Sequence, residues 1–279
     1  LLDSVGQRYH RVTASGLGVQ PHYRNVVLAG GVETDIMGIT MAAGKQLGRI
    51  NVGFYGTIDS HSFKDSQDSK VSALGGTLAL RLETEVINNF NIALSLSYEV
   101  NDHIVGRSIE KLNKIARSKF LINTFNVAMA LEKEFRVRGY LIFTPSASLE
   151  TSLLGYSKFS EEGAGVLNLT IDGGSHHLIA GNFGLTMALD LANFRPFISL
   201  GASYLLSYSS PELSASLTEY SSSGKLKCRA AEVGKLPGYA DLGCSYELNK
   251  NVTVSLASSY RGASGYRSFY VGVGAKYSF

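Results

Sequence analysis

Polar and apolar residues alternate along the chain from about residue 25 to its end, with the period of two that is typical of a β-strand. In the stretch "NIALSLSYEV", apolar side chains occupy the even positions Ile92, Leu94, Leu96, Tyr98 and Val100, and small or polar side chains lie between them. Successive side chains of a strand point to opposite faces, so the pattern predicts one apolar and one polar face. The stretches "NVTVSLASSY" and "RPFISLGASYLLSY" alternate in the same way.

Segments of this kind predict about twelve strands along the whole chain. Their expected ranges are 21–31, 33–44, 48–60, 70–84, 89–101, 119–133, 137–154, 177–191, 194–208, 236–248, 250–261 and 267–279.

The connections between the predicted strands are alternately short and long. Short ones include "GKQLGR", "TEVINN", "EKEFRVR", "LANFR" and "LNKN", and long polar ones include "DSHSFKDSQDSK" and "NDHIVGRSIEKLNKIARSK". A soluble β-sandwich has loops of mixed length at both ends. A bacterial outer-membrane barrel has short turns at one end, long loops at the other, and an apolar face turned outward to lipid. The sequence therefore predicts an all-β fold, a transmembrane antiparallel up-and-down β-barrel.

Charged residues of both signs lie on the polar face of the predicted strands. If that face surrounds a water-filled lumen, these charges line it. The predicted lumen-facing residues are Arg81, Glu83, Glu99, Glu132, Glu150, Asp190, Asp241, Glu247, Arg261 and Lys276.

The final segment, "SFYVGVGAKYSF", alternates up to its last residue. Lipid offers no hydrogen bonds, so the first and last strands of a membrane barrel must pair with each other. We therefore expect Phe279 to be the true C terminus and the side chains of Phe269, Val271, Val273, Ala275, Tyr277 and Phe279 to face lipid. The other end begins at Leu1 without a signal peptide, so we expect it to be cut from a longer protein.

Composition excludes several other classes of protein. Hydrophobic residues make up 44% and charged residues 18% of the chain, and no run approaches the ~20 apolar residues of a spanning helix. Lys and Arg number 26 against 23 Asp and Glu. The chain is therefore nearly neutral, and its charge does not indicate a nucleic-acid partner. Cys228 and Cys244 match neither a disulfide framework nor a metal site.

An outer-membrane enzyme and a passive channel remain alternatives. The clusters Ser60-His61-Ser62 and Ser175-His176-His177 resemble parts of a catalytic site, but neighbours on a strand point to opposite faces. Asp172 with the two neighbouring histidines is a weak candidate for a metal site. We predict no catalytic, cofactor-binding or metal site, and lumen charges alone do not separate a channel from a plugged barrel.

The stretch "YSKFSEEGAGVLNLTIDGGS" has a recognisable order of residues: an aromatic-x-Glu-x-Gly-Ala-Gly pattern and then Asn-Leu-x-Ile-Asp. With "FRPFISLGASY" and the last two strands, it resembles the β-domain, or translocator, of autotransporters of Gram-negative bacteria. The resemblance covers most of residues 20–279. Its motif residues are Phe159, Glu161, Gly163, Ala164, Gly165, Asn168, Leu169, Ile171 and Asp172.

The resemblance implies type V secretion, in which the barrel exports an N-terminal passenger and anchors it at the surface without a cofactor. Residues 1–20 would be a linker or the end of a helix in the lumen, and residues 21–279 the translocator. Expected partners are outer-membrane lipid, the attached passenger, the barrel-assembly machinery and periplasmic chaperones. We expect a monomer in the outer membrane, with its long loops extracellular and its C terminus periplasmic. The last strand, through Phe269, Val271, Val273, Tyr277 and Phe279, would be the assembly signal.

Overall fold

The computed structural model describes residues 15–28, 31–64, 70–209, 212–219, 224–229 and 235–279. The expected N-terminal segment, residues 1–20, therefore lies mostly outside the described residues, and its placement stays a prediction. The first strand already begins at Gly16, ahead of the expected start at residue 21.

The described residues form strands joined by turns and two short 3-10 turns, Glu110–Leu112 and Gly165–Leu167. Among these residues no helix is long and apolar enough to cross a membrane. In chain order the strands are β1 Gly16–Leu28, β2 Glu33–Leu47, β3 Ile50–Lys64, β4 Lys70–Ile87, β5 Phe90–Ile109, β6 Lys114–Lys133, β7 Phe135–Val137, β8 Leu141–Tyr156, β9 Phe159–Ser160, β10 Leu169–Ile171, β11 Gly174–Leu189, β12 Phe194–Tyr208, β13 Glu212–Leu217, β14 Leu226–Arg229, β15 Gly238–Glu247, β16 Val252–Ala263 and β17 Tyr266–Ser278.

Twelve strands close into an antiparallel barrel, and β7 is an extra strand on its wall. Strands β1 to β6 pair in sequence, and the wall then continues through β8, β11, β12, β15, β16 and β17. The last strand pairs with the first, from Gly16 opposite Ser278 to Leu28 opposite Tyr266. Because each of the twelve barrel strands pairs with two neighbours, the wall makes its backbone hydrogen bonds between strands, as lipid requires. The predicted fold is confirmed.

The two faces of the wall differ as the alternation predicts. On β4, Leu74 and Leu78 are 62% and 73% exposed, whereas Thr77 and Arg81 are 5% and 6% exposed. A soluble domain would bury the leucines and expose the arginine. Large apolar side chains outside and polar ones inside are instead typical of a barrel in lipid.

Tight turns cluster at one end of the barrel, which we call the turn end. Between β4 and β5, Asn88 and Asn89 both have positive φ, 41° and 64°, the backbone that a two-residue hairpin turn needs. Gly48, between β2 and β3, has φ of 61°. The opposite, loop end carries the β8–β11 and β12–β15 connections.

The wall is much taller on one side than on the other. Strands β5 and β6 have 20 residues each, but β15 has 10 and β16 has 12. The prediction that "NDHIVGRSIEKLNKIARSK" is a loop is therefore wrong, because most of this segment continues the β5–β6 hairpin. Its charged residues obscure an alternation that the pairing from His103 opposite Phe120 to Ile109 opposite Lys114 reveals.

The two longest gaps between predicted strands, 155–176 and 209–235, also contain strands. Strands β9, β10, β13 and β14 form a second, four-stranded sheet at the loop end, in the order β14-β13-β10-β9. We call it the loop-end sheet. Its strands have two to six residues, too short for an alternation to stand out among Ser and Gly residues. The sheet joins the tall side of the wall, where Arg117 of β6 pairs with Glu162.

Candidate functional site

The barrel interior contains a cavity of about 710 Å³ lined by polar and charged side chains. Several predicted lumen residues lie on it, contributed by β6 and by the last three barrel strands: Glu132, Asp241, Glu247, Arg261 and Lys276. Because charges of both signs meet there, the cavity suits a polar chain segment better than an apolar ligand.

The other predicted lumen residues lie at different heights of the wall. Arg81, Glu83 and Glu150 are buried. Glu99 accepts a hydrogen bond of 2.7 Å from the Asn101 side chain. Asp190 lies near the turn end, where Arg136 Nη1 is 3.3 Å from its Oδ2. Whether each of these residues acts in transport stays a prediction.

Arg81 and Glu83 form an ion pair along one strand. They are two positions apart on β4, so both side chains point inward. Arg81 Nη2 and Nε donate to Glu83 Oε2 over 3.2 and 3.3 Å. Both side chains are less than a tenth exposed, and a buried charge needs such a partner.

Aromatic rings also occupy the interior, which the sequence analysis did not foresee. The Tyr239 ring on β15 lies directly against the backbones of Gly184 and Gly201, where a Cβ atom would overlap it. The Arg261 guanidinium lies 5.6 Å from the centre of the same ring. The missed signal is strand parity, because Tyr239 shares the face of Asp241 rather than that of Leu242.

A row of histidine and phenylalanine rings lines the inner wall towards the loop end. The His103 ring stacks on Phe120 with 5.2 Å between centroids, and Phe120 stacks on Phe159 at 4.0 Å. His103 is buried, whereas its neighbour Ile104 is exposed on the outer face. The row therefore leads from the lumen onto the loop-end sheet.

The family motif begins with two of the predicted residues, Phe159 and Glu161. Arg107 of β5 donates from Nε and Nη2 to the two Glu161 carboxylate oxygens, at 2.9 and 2.6 Å. Arg107 also donates to the Leu167 carbonyl at 3.0 Å, and Glu161 accepts from the Leu169 amide at 2.9 Å. The motif is thus fastened to the tall hairpin.

The glycines of the motif allow a close approach to β6. Gly163 has φ of 97°, and a Cβ there would lie 2.8 Å from the Ile115 carbonyl oxygen. Gly165 also has positive φ, 65°. The Asn168 side chain accepts from the Ala164 amide at 2.9 Å and closes the turn. Backbone shape and contact both select glycine here.

The residues that we weighed for enzymatic or metal chemistry are separated by the fold. His61 points inward and lies 2.7 Å from Asp59 Oδ1, while Ser60 and Ser62 are exposed outside. Asp172 binds Lys225 Nζ at 2.7 Å, and this hydrogen bond lowers the pKa of its carboxyl. Within the described ranges no three His, Cys, Asp or Glu side chains could hold a metal ion together.

The predicted assembly-signal residues lie on β17 and, for Phe279, directly after it. Phe269, Val273, Tyr277 and Phe279 are exposed on the outer face. The strand is held to its last residue, since Asn251 Nδ2 donates to the Ser278 carbonyl and the Phe279 amide donates to the Ser15 carbonyl. The chain therefore ends at the turn end.

Comparisons with known proteins agree with this architecture. The family model described as "Autotransporter beta-domain" matches residues 12–259. The translocator domain of autotransporter NalP from Neisseria meningitidis is 14% identical, with a TM-score of 0.82, covering 99% of this chain and 92% of that one. No curated protein matches the sequence.

Two further solved structures have the same fold. The β-domain of the Bordetella autotransporter BrkA is 14% identical, with a TM-score of 0.68 and coverage of 95% and 100%. The transport unit of AIDA-I from Escherichia coli is 12% identical, with a TM-score of 0.65 and coverage of 100% and 93%. At these identities the likeness supports the barrel fold alone.

Proposed function

The chain belongs to the autotransporter β-domain family as an outer-membrane translocator barrel, and on that premise we propose how its parts serve export. The passenger attached N-terminally passes through the lumen, and the part of residues 1–20 that precedes β1, which begins at Gly16, stays inside as its tether. The observation that carries this proposal is a closed barrel with lipid-compatible residues outside and a charged cavity inside.

The two ends of the barrel suggest its orientation. Outer-membrane barrels place short turns in the periplasm and long loops outside the cell. We accordingly assign the turn end, with Phe279, to the periplasm and the loop-end sheet to the cell exterior. The barrel acts as a monomer and without catalytic activity of its own, and the energy for export comes from passenger folding outside.

A reporter fusion tests export. An epitope-tagged reporter, preceded by a signal peptide and joined ahead of Leu1, should become accessible to protease added outside intact cells. A matched fusion with β17 deleted should leave the reporter protected. A reporter that remains protected while the full barrel is heat-modifiable on a cold denaturing gel would contradict the proposal.

Assembly is proposed to depend on the last strand, which periplasmic chaperones and the barrel-assembly machinery would recognise. Deleting Phe279 should reduce the heat-modifiable fraction, because that side chain is the last apolar group on the outer face. Replacing Ser278, on the opposite parity, with Ala is the control. Normal assembly of the deletion variant would refute an assembly role for Phe279.

The sequence alternatives, a passive channel and an outer-membrane enzyme, are not favoured by the family match. Conductance in a planar bilayer separates the first of them from a plugged translocator. A large steady current through the complete chain would favour the channel, whereas low or flickering current fits a lumen filled by the segment ahead of β1.

A further inference from the structure

The loop-end sheet has one apolar and one polar face. Directly opposite residues of antiparallel strands share a face, and the pairings place Ile171 beside both Phe159 and Ala215. Leu226 lies opposite Ala215 in the same way. The apolar face, as we name it, consists mainly of Phe159, Ile171, Leu213, Ala215, Leu217 and Leu226.

The polar face is held by hydrogen bonds and ion pairs across the strands. Thr170 Oγ1 lies 2.9 Å from Ser160 Oγ and 3.0 Å from Thr218 Oγ1. On the same face, Lys227 Nζ pairs with Glu212 Oε1 at 2.7 Å. This side of the sheet is therefore suited to water, and not to the bilayer.

The apolar face continues the lumen side of the barrel wall. Phe159 stacks on Phe120, which lies opposite His103 on the inner face of the β5–β6 hairpin. The loop-end sheet thus reverses the barrel, where apolar side chains point away from the lumen. Lipid cannot reach a face on the lumen side, so the apolar residues there need another partner.

We propose that the apolar face is a docking surface for an extended segment of the exported passenger that carries apolar residues at alternate positions. This inference rests on the export function proposed above. Its occupant is indicated by continuity, since a chain leaving the lumen passes along the inner wall and next meets this face. Leu213 and Leu226 are 42% and 63% exposed, so apolar area remains to be covered.

The contact would be made by side chains rather than by backbone pairing. A segment lying across the sheet at the usual spacing of about 10 Å places every second side chain on the apolar face. Such a contact holds a chain with the right alternation without reading a particular sequence. It would slow backsliding of the passenger into the lumen.

A photocrosslinking experiment tests the proposal in the complete chain. The reporter ahead of Leu1 carries a tagged β-segment with Val at alternate positions, or a Gly/Ser segment of equal length. A photoreactive phenylalanine analogue replaces Leu213 or its neighbour Ser214, which lies on the polar face. We expect reporter crosslinks from position 213 with the Val segment, reduced at least about tenfold at position 214 or with the Gly/Ser segment.

The same fusion gives a kinetic test. Leu213→Asp should slow the surface appearance of the Val reporter severalfold, whereas Ser214→Asp should leave it unchanged at equal amounts of heat-modifiable barrel. Equal crosslinking at both positions, crosslinks to a second copy of the barrel, or equal rates for both variants would overturn the docking proposal. If the reporter is displayed normally, those results leave the export function standing. Failure of display in the unsubstituted fusion would overturn both.

Discussion

The barrel wall and the loop-end sheet use the same alternation of residues and expose opposite faces. On β4, Leu78 points outward from the barrel, and on β13, Leu213 lies on the lumen side. The alternation determines that each strand has two unlike faces, but the surroundings determine which face is covered. In the orientation proposed above, lipid surrounds the wall, whereas water surrounds the loop-end sheet. The following variants test that difference.

A cation on the outer face of the wall should have the largest effect. Leu78 lies near the middle of β4 and is 73% exposed, so Leu78→Arg should destabilise the barrel by about 2–4 kcal/mol in lipid vesicles. Equilibrium unfolding in urea measures the change.

The matched variant places the same cation on the polar face of the loop-end sheet. Ser214→Arg should change the free energy of unfolding by less than about 0.5 kcal/mol, because water solvates the new charge. An equal loss for both variants would show that the wall and the loop-end sheet share one solvent.

Packing inside the wall should come next in magnitude. A Cβ at Gly201 overlaps the Tyr239 ring and the Phe183 carbonyl oxygen, so Gly201→Ala should cost about 1–3 kcal/mol. Gly76→Ala is the control, since a Cβ there meets no atom within 4 Å. If both variants unfold at the same urea concentration, the Tyr239 ring is not fixed against the glycine backbone.

Loss of the Arg107–Glu161 contact should destabilise the loop-end sheet and leave the wall intact. Arg107→Ala removes a bidentate partner from the buried Glu161 carboxylate. Since Arg107 is 36% exposed, we discount the usual charged hydrogen bond to a local loss of about 1–2 kcal/mol. Hydrogen exchange of residues 157–173 should accelerate, while that of β1 and β17 stays constant.

Lys119→Ala is the control for that variant, because its partner Asp102 is on the exposed outer face and the Lys119 side chain is 67% exposed. Such a pair contributes about 0–1 kcal/mol. Equal acceleration of exchange in both variants would argue against a special fastening by Arg107.

How far the sequence predicted the molecule depends on the length of each element. The twelve wall strands are long enough for alternation to identify them, and Arg81 and Glu83 followed from their parity. The loop-end strands were missed because two to six residues carry too little periodicity. The Arg107–Glu161 pair joins residues 54 positions apart, a distance that no local pattern encodes. The inward direction of Tyr239 could have been predicted, because it has the same strand parity as the predicted lumen residue Asp241.

The smallest expected effect concerns pH at the loop-end sheet. The hydrogen bond from Lys225 lowers the pKa of Asp172. The stability that the ionised Asp172 carboxylate contributes is therefore fully present above the ordinary carboxyl pKa of about 3.9, and it is lost as pH falls through the lowered pKa. Asp172→Asn should therefore make hydrogen exchange of β10 and β14 slightly faster at neutral pH and less sensitive to acid. Asp190→Asn at the turn end should leave both unchanged. A wild-type acid response that survives in Asp172→Asn would assign the sensitivity to another group.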